Sequence, residues 1–251
     1  MILVFSLLIN YRKLSAFNRQ KPISVHLHNM PQTSTNQISL TIANESFLLL
    51  PQKALVRTND KTLIIADLHL GKATHFRKAG IPVSDGVFKT DLNKIDWLVN
   101  QHQIENVWVL GDFFHSDSNS EWARFQLWLA SSPIKKWTII PGNHDKSTLS
   151  ESISNKMEIA DTHLFFNGII YCHDFQENTL PVISGHIHPG ISLKGNGKQN
   201  LQIPCFYQHG LNLLLPAFGS FTGLVKIIPQ KGDRVFGIAN NSILEIPLTK
   251  K

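Results

Sequence analysis

The sequence predicts an α/β chain in which a parallel, helix-flanked half is joined to an antiparallel half. Three observations carry that expectation. Short apolar runs in the first half each end in a polar loop containing glycine. Apolar residues at three- and four-residue steps lie between those runs. Beyond residue 160, short runs follow one another at turn-like intervals, with Asn167-Gly168 as the first turn.

The runs come in order. Residues 62–66 lead into Asp67-Leu68-His69-Leu70-Gly71, residues 106–110 into Gly111-Asp112-Phe113-Phe114-His115, and residues 137–140 into Pro141-Gly142-Asn143-His144-Asp145. Each is short, β-branched or aromatic and nearly continuous, as in strands buried on both faces. Phe88, Leu92, Ile95 and Val99 mark one helix, and Trp122, Phe125 and Leu129 another. Asp85 and Ser120 suit their N-caps. Strand–helix–strand order with polar loops at the strands' carboxyl ends places any chemistry at that edge. In the second half, Asn167-Gly168 signals a hairpin between residues 164–166 and 169–171. Further strands are expected at 181–184, 191–194, 201–207, 213–216, 224–228 and 243–246, with a turn at Gly195-Asn196-Gly197. Without a Pro/Gly/Ser-rich linker, residues 30–251 read as one domain.

A chain of 251 residues can bury a sizeable core, and 42% hydrophobic against 17% charged residues argues against wholesale disorder. Residues 1–9 are apolar but too short to span a membrane, and Arg12 and Lys13 lie behind the run rather than ahead of it. Residues 1–29 therefore read as a disordered extension with Met30 as an alternative start; a degraded signal peptide is the competing reading. The formal charge of +6 invites a nucleic-acid partner. Yet Arg12, Lys13, Arg19 and Lys21, taken from the 24 basic residues, leave 20 against 18 acidic ones, so net charge decides little. Cys172 and Cys205 are too few for a disulfide framework, and buried free thiols in a reducing cytoplasm are expected. The tryptophans read as core.

Asp67, His69, Asp112, Asn143, His144, His173, Asp174, His186 and His188 all follow predicted strands. A lone Asp-x-His says little. Five such segments in succession supply carboxylates, imidazoles and one amide oxygen, the donors of a mixed N/O transition-metal site. Residues two apart in an extended segment face one side, so Asp67 with His69, and His186 with His188, are expected to converge. The glycines before Asp112, Asn143 and His186 suit sharp turns or close backbone approach.

Asp67-x-His69, Gly111-Asp112, Gly142-Asn143-His144-Asp145, His173 and Gly185-His186-x-His188 resemble, in order, the five-block signature of the calcineurin-like metallophosphoesterases. The resemblance implies a four-layer αββα sandwich of two mixed sheets with a binuclear centre at the strand carboxyl ends. It implies one metal on Asp67, His69, Asp112 and His188, and a second on Asp112 as bridge, Asn143, His173 and His186. Two divalent ions would be manganese, with iron or zinc as alternatives. They would bring +4 against −2 from the two aspartates, leaving about +1 with a bridging hydroxide, still attractive to phosphate. In-line attack by that hydroxide is the implied mechanism. By the same resemblance His144 stands near the leaving oxygen as general acid or stabiliser, and Asp145 orients His144 or a neighbouring loop.

The flanks, including Ala66-Asp67-Leu68-His69-Leu70-Gly71-Lys72, Phe76-Arg77, Leu110-Gly111-Asp112-Phe113-Phe114-His115-Ser116 and Leu215-Pro216-Ala217-Phe218-Gly219, resemble the ligase-associated DNA-damage-response endonucleases. That branch implies a cytoplasmic, manganese-dependent nuclease on single-stranded DNA, linked in function with a DNA ligase, a helicase and an exonuclease. His115 would contact the scissile phosphate, and Arg77 and Lys72 would hold backbone phosphates. Phe113 and Phe114 are expected in the core, with base stacking as the alternative. A phosphatase or phosphodiesterase for a small molecule or nucleotide shares every catalytic residue. A non-catalytic partner of a repair complex fits an intact ligand set less well.

Overall fold

The computed structural model describes residues 37–78, 80, 86–114, 120–143, 145, 155–175, 178–194, 200–220 and 222–248. The extension 1–29 with Met30, the cap Asp85 and the turn 195–197 lie outside them.

The first sheet contains β1 (Ile38–Ile42), β2 (Glu45–Leu50), β3 (Ala54–Arg57), β4 (Thr62–Ala66), β5 (Asn106–Leu110), β6 (Lys136–Ile140) and β7 (Met157–Ile159), side by side in that order. From β1 to β4 the pairing is antiparallel; from β4 to β7 it is parallel. The register sets Ala66 beside Leu110 and Leu110 beside Ile140, so three strands end level and their loops open on one edge. The hairpins β1–β3 were not expected. In β1 and β2 a partly exposed alternation is a weaker signal than a continuous apolar run, and β3, though buried throughout, is only four residues long and ends in Arg57.

Three described helices, α1 (Lys72–Lys78), α2 (Gly86–His102) and α3 (Ser120–Ser131), accompany this sheet. Phe88, Leu92, Ile95, Leu98 and Val99 of α2 join Phe125 and Leu129 of α3 on Leu63, Ile65, Val107, Val109, Trp137 and Ile139. Phe113 and Phe114 lie in the same cluster, fully buried, which removes them as base-stacking residues. Trp97 departs from the core expectation: it is 50% exposed, on the face of α2 away from Ile95, Leu98 and Val99.

The second sheet holds β8 (His163–Phe166), β9 (Ile169–Cys172), β10 (Val182–Ser184), β11 (Pro189–Lys194), β12 (Asn200–His209), β13 (Asn212–Leu214), β14 (Val225–Lys226), β15 (Arg234–Ala239) and β16 (Ser242–Glu245). Its order is β14-β11-β12-β13-β10-β9-β8, with β15 also on β12 and β16 on β15. The expected antiparallel half is in fact mixed, because β10 runs parallel to β9 and β13, and β11 to β14. Those neighbours are joined by connections without a hairpin turn, so local turn signals do not show them.

The two sheets stack face to face. Ile64, Ala66, Trp108 and Leu110 meet Ile169, Tyr171, Ile183, Phe206, Leu213 and Phe236. The alternate residues of the second sheet, Cys205, Tyr207, Leu214 and Val235, form a separate cluster on its outer face, built among the described residues from strands and loop segments. A one-residue slip would exchange the two clusters, so both faces hold the register. No described helix is long and apolar enough to cross a membrane.

Candidate metal centre

The loops after β4 and β5 are laced together. Asp67 N–H donates to Gly111 O (3.2 Å), His69 N–H to Asp112 O (2.8 Å) and Leu70 N–H to Phe113 O (2.7 Å). Within them Asp67 (φ 53°), His69 (50°) and Asp112 (45°) adopt left-handed backbone, as do His186 (67°) and His188 (51°) in the loop after β10. The other described non-glycine residues with such φ lie in tight turns or, for Gln103, just past α2. Left-handed φ at a residue with a Cβ costs on the order of 1–3 kcal/mol and gathers where function requires an unusual aim. The convergence expected from extended spacing is therefore reached by another route: each residue of the pair is turned in place.

The result is two clusters. Ligand atoms of Asp67, His69 and His188 lie within 4.8 Å of one another, as do those of Asp112, His173 and His186. His188 Nε2 is 3.2 Å from Asp67 Oδ1, and His173 Nε2 is 3.4 Å from Asp112 Oδ1. The clusters touch, since His69 Nε2 is 4.0 Å from Asp112 Oδ2 and His173 Nδ1 is 3.8 Å from Asp67 Oδ1.

Supporting contacts aim the rings. His173 Nδ1 lies 3.0 Å from Leu110 O. A carbonyl only accepts, so Nδ1 carries the proton and Nε2 faces the cluster. His186 N–H donates to Asp67 Oδ2 (3.0 Å). His186 Nδ1 and His173 Nε2 are 2.9 Å apart. Two imidazole nitrogens about 2.1 Å from a shared ion and roughly at right angles would stand about 3 Å apart, so this pair fits a common cation. Gly111 permits the packing: with φ +72°, a Cβ there would meet His173 Cγ and Nδ1 at 2.2 Å. A Cβ at Gly142 would meet Asp112 N at 2.3 Å, so the approach of this loop also requires glycine.

The charges are interlocked. Burial works against ionised Asp67, but His188, then His173 and His69, outweigh it and hold the carboxyl below its usual range. Burial pushes His69 down to about 3. It opposes charge on His173 too, yet Asp112 and Asp67 prevail and push that imidazole up to about 9. Burial and the neighbouring His173 lower His186. Two buried carboxylates among four imidazoles form the donor set of a divalent metal site.

Asn143 is exposed and shares a cavity wall with His173. His144 and His115 lie outside the described residues. Asp145 is fully buried and accepts from Phe113 N–H (3.2 Å), Phe114 N–H (2.9 Å) and Gly142 N–H (2.8 Å). It ties the loop after β5 to the loop after β6, and its carboxylate points into backbone. Burial raises its carboxyl, against those three donors. Arg77, expected to grip phosphate, has another engagement: its Nη2 donates to Thr74 Oγ1 (2.7 Å) and lies 3.6 Å from Glu121. At Lys72 burial lowers the ammonium, while Asp112 and Asp67 pull it back up.

Two supports escaped the sequence reading. Glu121, buried in the first turn of α3, accepts from Gly71 N–H at 2.8 Å. On α2, Asp91 accepts from Ser220 N–H (3.1 Å) and Oγ (2.6 Å), and Lys94 Nζ donates to Phe218 O (2.7 Å). The segment so held bonds back to Ala66 O and Asp67 O. Only the helical positions of Glu121, Asp91 and Lys94 are visible locally, and their partners lie 50 to 129 residues away.

The calcineurin-like phosphoesterase family model matches residues 61–216, more than half of the chain, and takes in every residue of both clusters. The chain belongs to the calcineurin-like phosphoesterases. As a member it is a hydrolase of phosphoesters, from a family that works with divalent metal ions. Among solved structures, a Pseudomonas putida nuclease, MPE, is 29% identical with a TM-score of 0.71; 83% of this chain and 100% of that one are covered. A protein of unknown function from Aquifex aeolicus is 18% identical with a TM-score of 0.37, covering 51% of this chain and 78% of that one. Among curated proteins no match is found.

Proposed function

We propose that this calcineurin-like phosphoesterase is a binuclear phosphodiesterase that cuts single-stranded DNA. Asp67, His69, Asp112 and His188 hold one divalent ion, and Asp112, Asn143, His173 and His186 the other, with manganese in both. The observation that carries the binuclear reading is Asp112: it belongs to the second cluster and stands 4.0 Å from His69 of the first, where one carboxylate can serve both ions. The likeness to the Pseudomonas putida nuclease over that protein's full length supports DNA as the substrate.

Two such ions, when bound, would acidify a water and neutralise charge on the phosphodiester. The chain's own residues do the rest. Leu110 O and the His186 N–H fix the aim of His173 and Asp67. Lys72, drawn toward both aspartates, stands ready to meet phosphate oxygens. His144 takes the general-acid role at the leaving oxygen, and His115 contacts the scissile phosphate. Arg77, held by Glu121, steadies α1 beside the site. A place in a ligase-linked cytoplasmic repair pathway, beside a helicase and an exonuclease, is part of the same proposal.

The test is hydrolysis by metal-stripped protein refilled with manganese, zinc or magnesium. It is offered single-stranded DNA, duplex DNA and a small aryl phosphodiester, with Asp112→Ala and His186→Ala as controls. Manganese-dependent cutting of the single strand, lost in both variants, is the expected result. Turnover of the small ester alone would replace the nuclease reading with the small-molecule one.

A further inference from the structure

We propose that the cavity beside the second cluster is a subsite for one unpaired nucleotide of a DNA strand, with Phe165 as the platform on which a base stacks. The inference rests on the nuclease reading above. The cavity, about 310 Å³, runs from Asn143 and His173 to Thr162, His163 and Asn178, over a floor that includes Ile170, Cys172 and Val182. That volume is at the lower end of the roughly 300–1,000 Å³ of small-ligand sites, and more than a phosphate needs.

Charge says which part of a nucleotide enters. Among the described residues no lysine or arginine lines the cavity and Asp174 does, so a phosphate is disfavoured there and stays over the metal clusters. Amide, hydroxyl and imidazole groups beside apolar walls suit the edges of a base and a sugar. Phe165 follows from the register. It lies opposite Ile170, which lies opposite Val182; both line the cavity, so the pleat sets Phe165 on the same face. It is 59% exposed, on the edge strand β8. An exposed ring next to a polar cavity that opens on a phosphoesterase centre is the arrangement that holds single strands by stacking. In a duplex the bases are stacked and paired, so only an unpaired strand can place one here.

The experiment uses the metal-loaded full chain and a fluorescein-labelled, phosphorothioate-linked oligothymidylate, with binding read by anisotropy. Phe165→Ala is expected to weaken binding about 5- to 150-fold, the range for loss of one stacked base, and Phe165→Trp to restore it. Leu127→Ala, another exposed apolar residue but on α3, serves as the unchanged control. Thermal unfolding at the parent's midpoint shows that Phe165→Ala is folded. Undiminished binding by Phe165→Ala would overturn the subsite even if the parent cuts DNA, and so would equal weakness of the Ala and Trp variants. If the parent binds through Phe165 but leaves the ordinary phosphodiester strand uncut, the nuclease reading fails and the subsite stands. If the parent does not bind the strand, both fall.

Discussion

Replacing Asp145 by alanine removes an acceptor for three buried N–H groups at 2.8–3.2 Å, two beside the ligand Asp112 and one beside Asn143. An orphaned buried donor costs about 1–3 kcal/mol, so three bound the loss at roughly 3–9 kcal/mol. The vacated space admits a water that serves some of them, which favours about 3–5 kcal/mol. Against a typical stability of roughly 5–15 kcal/mol, the variant remains folded but close to its limit. Asp145→Asn keeps one acceptor oxygen and should lose about half as much. The assay is urea unfolding of the metal-free proteins, together with metal content after reloading. Because the clasp holds the loops of Asp112 and Asn143, both variants should also lose metal, in the same order as they lose stability. An Asp145→Ala protein with parental stability and two bound metals but abolished turnover would refute this reasoning and make Asp145 a reacting group.

Gly111→Ala drives a Cβ to 2.2 Å from the His173 ring, whereas Gly168→Ala imposes comparable strain (φ +77°) with nothing within 4 Å. Both should lose about 1–2 kcal/mol from the left-handed backbone, but only Gly111→Ala should drop the metal count, as read by elemental analysis. In the metal-free protein His173 titrates at about 9, above its ordinary 6.5. Its protonated pairing with Asp112 therefore contributes stability present below pH 6.5 and lost as pH rises through 9. Metal must displace that proton, so uptake should release protons and tighten from pH 6.5 toward 9. Calorimetry in buffers of different ionisation enthalpy measures this, and pH-independent uptake would contradict it. Burial pushes the Cys172 thiol up to about 12 and Cys205 higher still. Cys205, sealed in the core, should not react with Ellman's reagent at pH 8 until urea unfolds the chain, while Cys172, at the cavity floor, should react only slowly because its thiol stays protonated; rapid labelling of the native protein would refute both.

The central strands were legible because β4, β5 and β6 are covered on both faces, which leaves an uninterrupted apolar run and a polar loop behind each. The candidate donors were legible for a similar reason: Asp67, His69, Asp112, His173, His186 and His188 sit directly after strands, and the five-block resemblance picks them out among the polar loop residues. What the sequence did not hold is whatever depends on contacts across the chain. The parallel neighbours of β10 are set by pairing across the chain, not by local turns. The core place expected of Phe113 and Phe114 is completed by the packing of α3, whereas the engagement of Arg77 by Glu121, a residue 44 positions away, had no local signal. Asp67 and His69 converge because their backbone is turned left-handed and tied to the next loop, a strain that only the surrounding hydrogen bonds maintain. Which donor atoms this chain carries is a matter of composition and order; where those atoms point is a matter of tertiary bonds, since only those oppose the local preference of each residue.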